Sequence, residues 1–428
     1  MITFDKCSSF KGELNVPSDK SISHRAIIIS SMVDGVSLIK NPLKSRDTLA
    51  TADAFSAVGV DIVKDADRYL ISSNGYRNFK EPYDVIDCQN SGTTARLLAG
   101  VFAPQDFYTV LTGDNALKRR PMKRVIDPLV KMGANITAKK SNTLLPMTIN
   151  PSKNMKASNI EAEVKSAQVK SAILLAGAEL EGVTTYKETV ATRNHTEMML
   201  KNFGADIKSE NGLITINGGK KLHSLEMTVP GDFSSAAFFI VAACCFEGSD
   251  ILIKDVGINP TRTGLLTVLK DFGIDFTVEE TIKEPEPIGN IHIKHSVSKG
   301  GLVSGDIIPN LIDEVPLIAM LGLFSENPVE IRNAEELRVK ESDRIAALVE
   351  NFRAIGAEVE DYSDGLKVYP LKGDVNKAIL KAFDDHRICM INILLAKKFG
   401  IKLMLDNIDS LDVSFPDFIG WVTALEEK

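Results

Sequence analysis

The sequence predicts an α/β protein of two domains, each built from three copies of one strand–helix–strand–helix–strand–strand unit. Three observations predict this. First, a Gly-apolar-polar-apolar phrase recurs as GVDI (59–62), GANI (133–136), GADI (204–207), GIDF (273–276) and GAEV (356–359). Second, another series interleaves with it: DGVSLI (34–39), EGVTTY (181–186), EGSDILI (247–253), ENPVEI (326–331) and FGIKLML (399–405). Steps within each series are about 70 residues, so a chain of 428 residues holds about six units. Third, VPSDKS (16–21) is echoed by VPGDFSS (229–235), three repeat lengths later. The chain is therefore expected to start in one domain, enter the other near Ser18 and return near Gly231. This gives domain A as 1–17 plus 231–428 and domain B as 18–230. Two crossings would form a hinge, and a cleft between hinged domains is a common ligand site.

Each element of the unit has a local cause. TEMMLKNFG (196–204), TGLLTVLKDFG (263–273) and DRIAALVENFRAIG (343–356) space apolar residues three and four apart, which predicts amphipathic helices. The glycine that closes each stretch suits the left-handed position just past a helix end. Short alternating strands follow, often as a pair, as in GLITIN (212–217) and GLKVYP (365–370). A helix about every 35 residues, always followed by a strand, argues for βαβ crossovers with partly parallel sheets.

Composition narrows the function. Apolar residues make up 44% and charged residues 25%, ordinary values for a globular protein, and the net charge of −7 offers no general basic face for nucleic acid. The longest apolar runs, AAFFIVAACCF (236–246) and VPLIAMLGLF (315–324), are too short to cross a bilayer, and the N-terminus has no signal-peptide pattern. Cys7, Cys88, Cys244, Cys245 and Cys389 lack metal-ligand spacing and read as small buried hydrophobes in a reducing compartment. A cytoplasmic monomer that needs no metal or other cofactor is expected, with no nucleic-acid or membrane partner. The chain has no GxxxxGK[ST] loop, no dinucleotide fingerprint after a strand and no GxSxG elbow.

The chemistry gathers at strand-to-helix junctions. These read PSDKSISHRA (17–26), CQNSGTTARLLA (88–99), VKSAQVKSAIL (164–174), TRNHTE (192–197), PNLIDEVPL (309–317), LRVKESDR (337–344) and DDHRICM (384–390). Helix N-termini present unpaired N–H groups and a positive dipole end, so they suit anions. Lys20, Arg25, Arg96, Arg120, Arg193, Lys340, Arg344 and Arg387 stand at or beside these junctions, which suggests a focused positive site in an acidic protein. Taken singly, each junction has a plainer explanation. NSGTTAR reads as a capped helix start, LRVKESDR as a solvated helix face with Glu336, Lys340 and Arg344 four apart, and DHR as a structural charge pair. His24, His195 and His386 read singly as surface or hydrogen-bonded core residues. Seven junctions of one chemistry in a periodic fold argue for a common anionic ligand.

Together PSDKSISHRA, NSGTTARLLAG, Lys118-Arg119-Arg120-Pro121, KSAQVKSA, RNHTE, IDEVP, LRVKESDR and DHR resemble the 5-enolpyruvylshikimate-3-phosphate (EPSP) synthase family, in order and over essentially the whole chain. The resemblance implies the two-domain inside-out α/β barrel, six βαβαββ units with three per domain, and an active site in the interdomain cleft. It implies a 3-phosphoshikimate 1-carboxyvinyltransferase of the shikimate pathway to aromatic amino acids. The enzyme would move the enolpyruvyl group of phosphoenolpyruvate to the 5-hydroxyl of shikimate 3-phosphate, with domain closure by induced fit. Shikimate 3-phosphate would be held by Lys20, Ser21, Arg25, Ser166, Ala167, Gln168, Arg193, Asp313 and Lys340. Phosphoenolpyruvate would be held by Lys20, Asn90, Gly92, Arg96, Arg120, Gln168, Arg344 and Arg387, with the two last on its carboxylate. Asp313 would be the base, Lys20 would lie between the substrates, and Glu341, with Lys340 as the alternative, would be the proton donor.

The chain departs from the family pattern at three places. Ala167 stands where many members have a second serine, and His195 stands at a tyrosine position. Val413-Ser414-Phe415-Pro416 lacks the lysine that often precedes the final Ser/Thr-Phe-Pro, so no lysine contact is implied there. Three other readings compete. A UDP-N-acetylglucosamine enolpyruvyl transferase typically uses a loop cysteine, which LTGDNALKRRP (111–121) lacks. An RNA-terminal-phosphate cyclase would need a basic RNA-binding face. A non-catalytic anion-binding repeat protein gives no reason for Asp313 and Glu341 among so many cations.

Overall fold

The computed structural model describes residues 2–375, 378–404, 411, 415 and 417–427. They group into two compact units. One comprises Met1–Pro17, Gly231–Lys283 and Pro287–Lys428, and the other Ser18–Pro230 with Glu284–Glu286. Glu284–Glu286 departs from the sequence assignment, which had it in domain A. Glu286 is buried and its carboxylate bonds His195 Nδ1 at 2.9 Å, which no periodic signal announces.

Among the described residues the strands form six sheets. The unit predicted from sequence is complete in Ile86–Asp87, Gly92–Phe102, Thr109–Thr112, Lys123–Lys131, Asn135–Ala138 and Leu144–Asn150. Its first two strands pair in parallel, and the last two add as an antiparallel hairpin, giving the strand order 1-2-4-3. The sheets of Asn159–Gly218 and Gly301–Val368 repeat this order. In two other sheets the first strand comes from elsewhere in the chain: Glu226–Thr228 pairs in parallel with Asp34–Lys40, and Ser9–Asn15 with Asp250–Gly257. The sixth holds Ile379–Lys381 parallel to Lys402–Met404, with Ile2–Thr3 antiparallel at its edge.

The two helices of each repeat do different work. The helix after the first strand is buried along nearly its whole length, as in Lys20–Met32, Gly92–Phe102 and Ala167–Glu179, or in Phe233–Cys245, Val315–Gly322 and His386–Phe399. A helix that is apolar on all sides belongs inside, and each sheet keeps one face toward solvent, with Val36, Leu70, Val183 and Leu302 exposed. The fold is therefore the inside-out arrangement, with helices in the core and sheets outside. Gly100 permits one such contact, since a Cβ there would lie 2.2 Å from the Ala172 carbonyl oxygen.

The second helix of the repeat ends on the recurring glycine. Gly59, Gly133, Gly204, Gly273 and Gly356 all have φ between 79° and 99°. In each case the following N–H bonds a carbonyl five residues back, as Val60 to Phe55 and Ala357 to Phe352. This is the Schellman closure, and it explains why the phrase begins with glycine. The junctions are capped as their polar residues predict: Asp19, Ser91, Ser166, Asp232, Asp343 and Asp385 each accept from a backbone N–H in the first helical turn.

Candidate active site

In the second unit, caps orient the first turns of three buried helices, and cations surround them. Lys20 opens its helix and sends Nζ to Asp47 at 3.3 Å, where the Asp47 side chain is only 10% exposed. Arg25, one turn further, is buried. It donates to Thr196 Oγ1 at 2.7 Å, to Ser171 Oγ at 2.8 Å and to the Ser21 carbonyl at 3.0 Å. Burial first, and then the charge of Arg193, lower its pKa to about 10, while Glu197, Asp19 and Glu286 oppose that shift. Arg193 is thus close enough to Arg25 for the two to repel.

A second cluster lies on Gly92–Phe102 and its neighbours. Arg96 Nη1 donates to Gln168 Oε1 at 2.6 Å, and Gln168 Nε2 donates to Thr93 Oγ1 at 2.9 Å. Arg120 Nη2 reaches Asn90 Oδ1 at 3.3 Å, and Asn90 is held in turn by Asp114 at 2.7 Å. Gly92 matters by contact: a Cβ there would sit 2.9 Å from Arg96 Nη1 and push the guanidinium aside. Ser166 caps the helix that carries Ala167 and Gln168. The neutral amides of Gln168 and Asn90 orient the Arg96 and Arg120 guanidinium groups.

The first unit supplies a second set. Arg344 is 1% exposed and gives Nε to Asp385 at 2.8 Å and Nη2 to Glu341 at 2.7 Å. Its Nη1 lies 3.7 Å from Asp313 Oδ1 and makes no hydrogen bond among the described residues. Arg387 donates Nη1 to the Asp313 carbonyl at 3.0 Å, with Nε 3.9 Å from the Asp313 carboxylate. Burial is the largest single influence on Asp385 and would raise its pKa, but the Arg344 charge, His386 and the Arg344 hydrogen bond together outweigh it and hold the carboxyl below its usual range. Burial pushes the neighbouring His386 down, so it is neutral at pH 7. Lys340 Nζ lies 3.5 Å from Glu336.

The structure corrects one alternative weighed for this segment. LRVKESDR is not a single solvated helix. Glu335–Val339 is a short 3-10 turn, Lys340 breaks it at φ −79° and ψ −147°, and a new helix starts at Arg344 under the Asp343 cap. Arg344 consequently turns inward. DHR is likewise more than a surface charge pair, because Asp385 is both a helix cap and the buried partner of Arg344.

Several residues that matter here carried no singular signal. Lys170 has a side chain 1% exposed and binds Glu188 at 3.1 Å, Glu197 at 2.7 Å and the Thr192 carbonyl at 3.1 Å. It fixes the loop that presents Arg193, and the visible clue was a lysine inside an otherwise apolar helical stretch. Asp47, Arg262 and Glu314 were missed for lack of any such clue. Val413, Ser414 and Pro416 lie outside the described residues. Among the described residues no group of three or more His, Cys, Asp or Glu could hold a metal, and no helix is long and apolar enough to cross a membrane. The five cysteines are buried free thiols.

Six small sheets packed outside buried helices, with cations beside carboxylates at the helix N-termini, define a class of α/β proteins suited to anionic ligands. The family profile of EPSP synthase (3-phosphoshikimate 1-carboxyvinyltransferase) matches residues 4–421. The 3-phosphoshikimate 1-carboxyvinyltransferase of Bacillus licheniformis is 40% identical over 427 residues, covering 99% of each chain. That of Persephonella marina is 44% identical over 422 residues, covering 96% of each. The solved EPSP synthase of Acinetobacter baumannii superposes with a TM-score of 0.88 at 37% identity, over 99% of this chain and 97% of that one. The chain belongs to the EPSP synthase family.

Proposed function

We propose that the clusters described above carry the family's reaction, transfer of the carboxyvinyl group of phosphoenolpyruvate to the 5-hydroxyl of shikimate 3-phosphate. On this reading Ser21, Arg25, Ser166, Ala167, Gln168 and Arg193 hold the shikimate partner. Lys20, Asn90, Gly92, Arg96 and Arg120 hold the phosphate of phosphoenolpyruvate. Arg344 and Arg387 take its carboxylate, for which a guanidinium fork is the matched partner. The observation that carries the assignment is Arg344 Nη1. It is buried beside Asp313 without a hydrogen bond among the described residues, and a buried donor of that kind requires an acceptor.

The chemistry then follows from the carboxylates. Asp313 accepts the proton of the 5-hydroxyl while that oxygen bonds to C2 of phosphoenolpyruvate, and Glu341 or Lys340 delivers a proton to the methylene carbon. The tetrahedral intermediate carries phosphate, carboxylate and the new ether on one carbon. Cleavage of the C2–O bond expels phosphate, loss of a methyl proton to the same donor restores the double bond, and the proton held by Asp313 leaves with phosphate. Fixed cations around the phosphate and carboxylate stabilise the charge that shifts in both steps, the largest contribution such a site can make. Water must be kept from the intermediate, and closure of the protein on its substrates achieves this. The buried free thiols support a protein of the reducing cytoplasm.

Phosphate release from phosphoenolpyruvate tests the reading. Release is expected with shikimate 3-phosphate as acceptor and absent with UDP-N-acetylglucosamine. Release with the nucleotide sugar alone would overturn it.

A further inference from the structure

The segment that presents Asp313 is anchored by a buried ion pair outside the substrate-binding set. Glu314 is fully buried, and Arg262 Nη1 grips both its carboxylate oxygens at 3.1 and 2.9 Å. Ser234 Oγ, in the first turn of Phe233–Cys245, donates to the same carboxylate at 2.5 Å and itself accepts from Arg262 Nη2. Arg262 is 4% exposed and sits on the loop after strand Asp250–Gly257, where its N–H is tied to the Asn259 carbonyl at 2.8 Å. Asp232 stands 3.6 Å from Nη2. Glu314 also starts the helix Val315–Gly322, its carbonyl accepting from Leu317 at 2.9 Å and Ile318 at 3.0 Å. The residue after Asp313 is thus fixed through both backbone and side chain.

The same carboxylate lies 3.9 Å from Arg387 Nη1, the group that donates to the Asp313 carbonyl. A buried carboxylate without its own cation attracts the nearest one available, because burial makes the unpaired charge costly. That nearest group is Arg387. We propose that Arg262 is a positioning residue: by neutralising Glu314 it keeps Arg387 on the Asp313 carbonyl and leaves the rest of that guanidinium for a substrate carboxylate. The inference rests on the functional reading for the identity of the carboxylate, while the competition between Arg262 and Arg387 for Glu314 rests on the geometry alone.

Two measurements on the full-length protein separate these layers. In steady-state phosphate release, Arg262→Gln is expected to raise the KM for phosphoenolpyruvate by roughly tenfold or more and to leave that for shikimate 3-phosphate within about twofold. The double variant Arg262→Gln/Glu314→Gln buries no charge at the pair, and should bring the phosphoenolpyruvate KM back to within about threefold of wild type. This variant also guards against a folding failure of the single one. A purely structural role predicts both KM values moving together with thermal stability, and no rescue in the double variant; that pattern would overturn the proposal. The second measurement is a crystal structure of Arg262→Gln, or of the equally uncharged Arg262→Met should that variant fold better. Arg387 Nη1 is expected within hydrogen-bonding distance of Glu314, and its remaining on the Asp313 carbonyl would contradict the mechanism. A wild type that releases no phosphate overturns the functional reading instead, and the position of Arg387 still decides this one.

Discussion

Replacing Arg344 with methionine separates what the residue does for the fold from what it does for the reaction. Arg344 makes three hydrogen bonds to carboxylates: Nε to Asp385 at 2.8 Å, Nη2 to Asp385 at 3.4 Å and Nη2 to Glu341 at 2.7 Å. Glu341 is 29% exposed and regains water when the arginine goes, so its share is small. Asp385 is fully buried and does not. It keeps Ser342 Oγ at 3.1 Å and the Arg387 N–H at 2.9 Å, so the loss should sit at the lower end of the range for breaking a buried pair, about 3 kcal/mol at pH 7. The pH dependence follows. In wild type the Asp385 pKa is lowered, so its contribution is present above the unfolded carboxylate pKa and is lost as pH falls through the folded one. Without Arg344 burial raises that pKa, the carboxyl protonates more readily, and the variant's deficit shrinks as pH falls from 7. Asp385→Asn added to Arg344→Met keeps a capping oxygen and removes the buried charge, so most of the lost stability should return while turnover stays abolished. Trp421 is the chain's only tryptophan and lies in the same unit, so its fluorescence in a urea titration reports on that unit. A single variant as stable as wild type at pH 7, a deficit that grows in acid, or a double variant no better than the single would each refute the reasoning.

Three further predictions are independent of that one. Asp313→Ala should bind shikimate 3-phosphate with little change yet lose turnover by about 10²–10⁴-fold, since it removes the base without touching the phosphate pockets; calorimetric titration beside the phosphate assay checks this, and turnover near wild type would remove Asp313 from its role. Arg120→Ala should raise the KM for phosphoenolpyruvate by roughly tenfold and that for shikimate 3-phosphate far less, read in the same assay; equal weakening of both would count against the pocket assignment. His24 is fully buried and pushed down to about 3 by burial, so it is neutral in the folded state, and its contribution, fully present above pH 6.5, is lost as pH falls below it. By pH 4.5 the loss reaches about 3 kcal/mol, and His24→Gln should flatten the acid limb of thermal unfolding followed by circular dichroism.

Much of this architecture was legible because its signals are local and repeated. A glycine two residues past a helix end does the same work at Gly59, Gly133, Gly204, Gly273 and Gly356, and one occurrence teaches the next. The caps were equally readable, since Asp19, Ser91 and Asp385 each stand where an unpaired N–H needs an acceptor. Elements built from distant chain were not legible. Glu226–Thr228 and Ile2–Thr3 complete sheets begun elsewhere, and strands of two or three residues are too short to show a period. At the site, the sequence presents Lys340 and Arg344 as an i,i+4 pair, because spacing alone does not reveal that the backbone breaks between them. Ion pairs such as Lys170 with Glu188 and Glu197, or Arg262 with Glu314, join residues far apart in the chain, and their burial is a property of packing that no single segment contains.

The central claim is that Lys20, Arg96, Arg120, Arg344 and Arg387 hold one pair of anionic substrates. A crystal structure with shikimate 3-phosphate and an unreactive phosphoenolpyruvate analogue bound tests it most directly. The account predicts Lys20, Arg96 and Arg120 on the phosphate of the analogue and Arg344 with Arg387 on its carboxylate. An analogue bound away from Arg344 and Arg387, with Arg344 Nη1 still making no hydrogen bond, would contradict it.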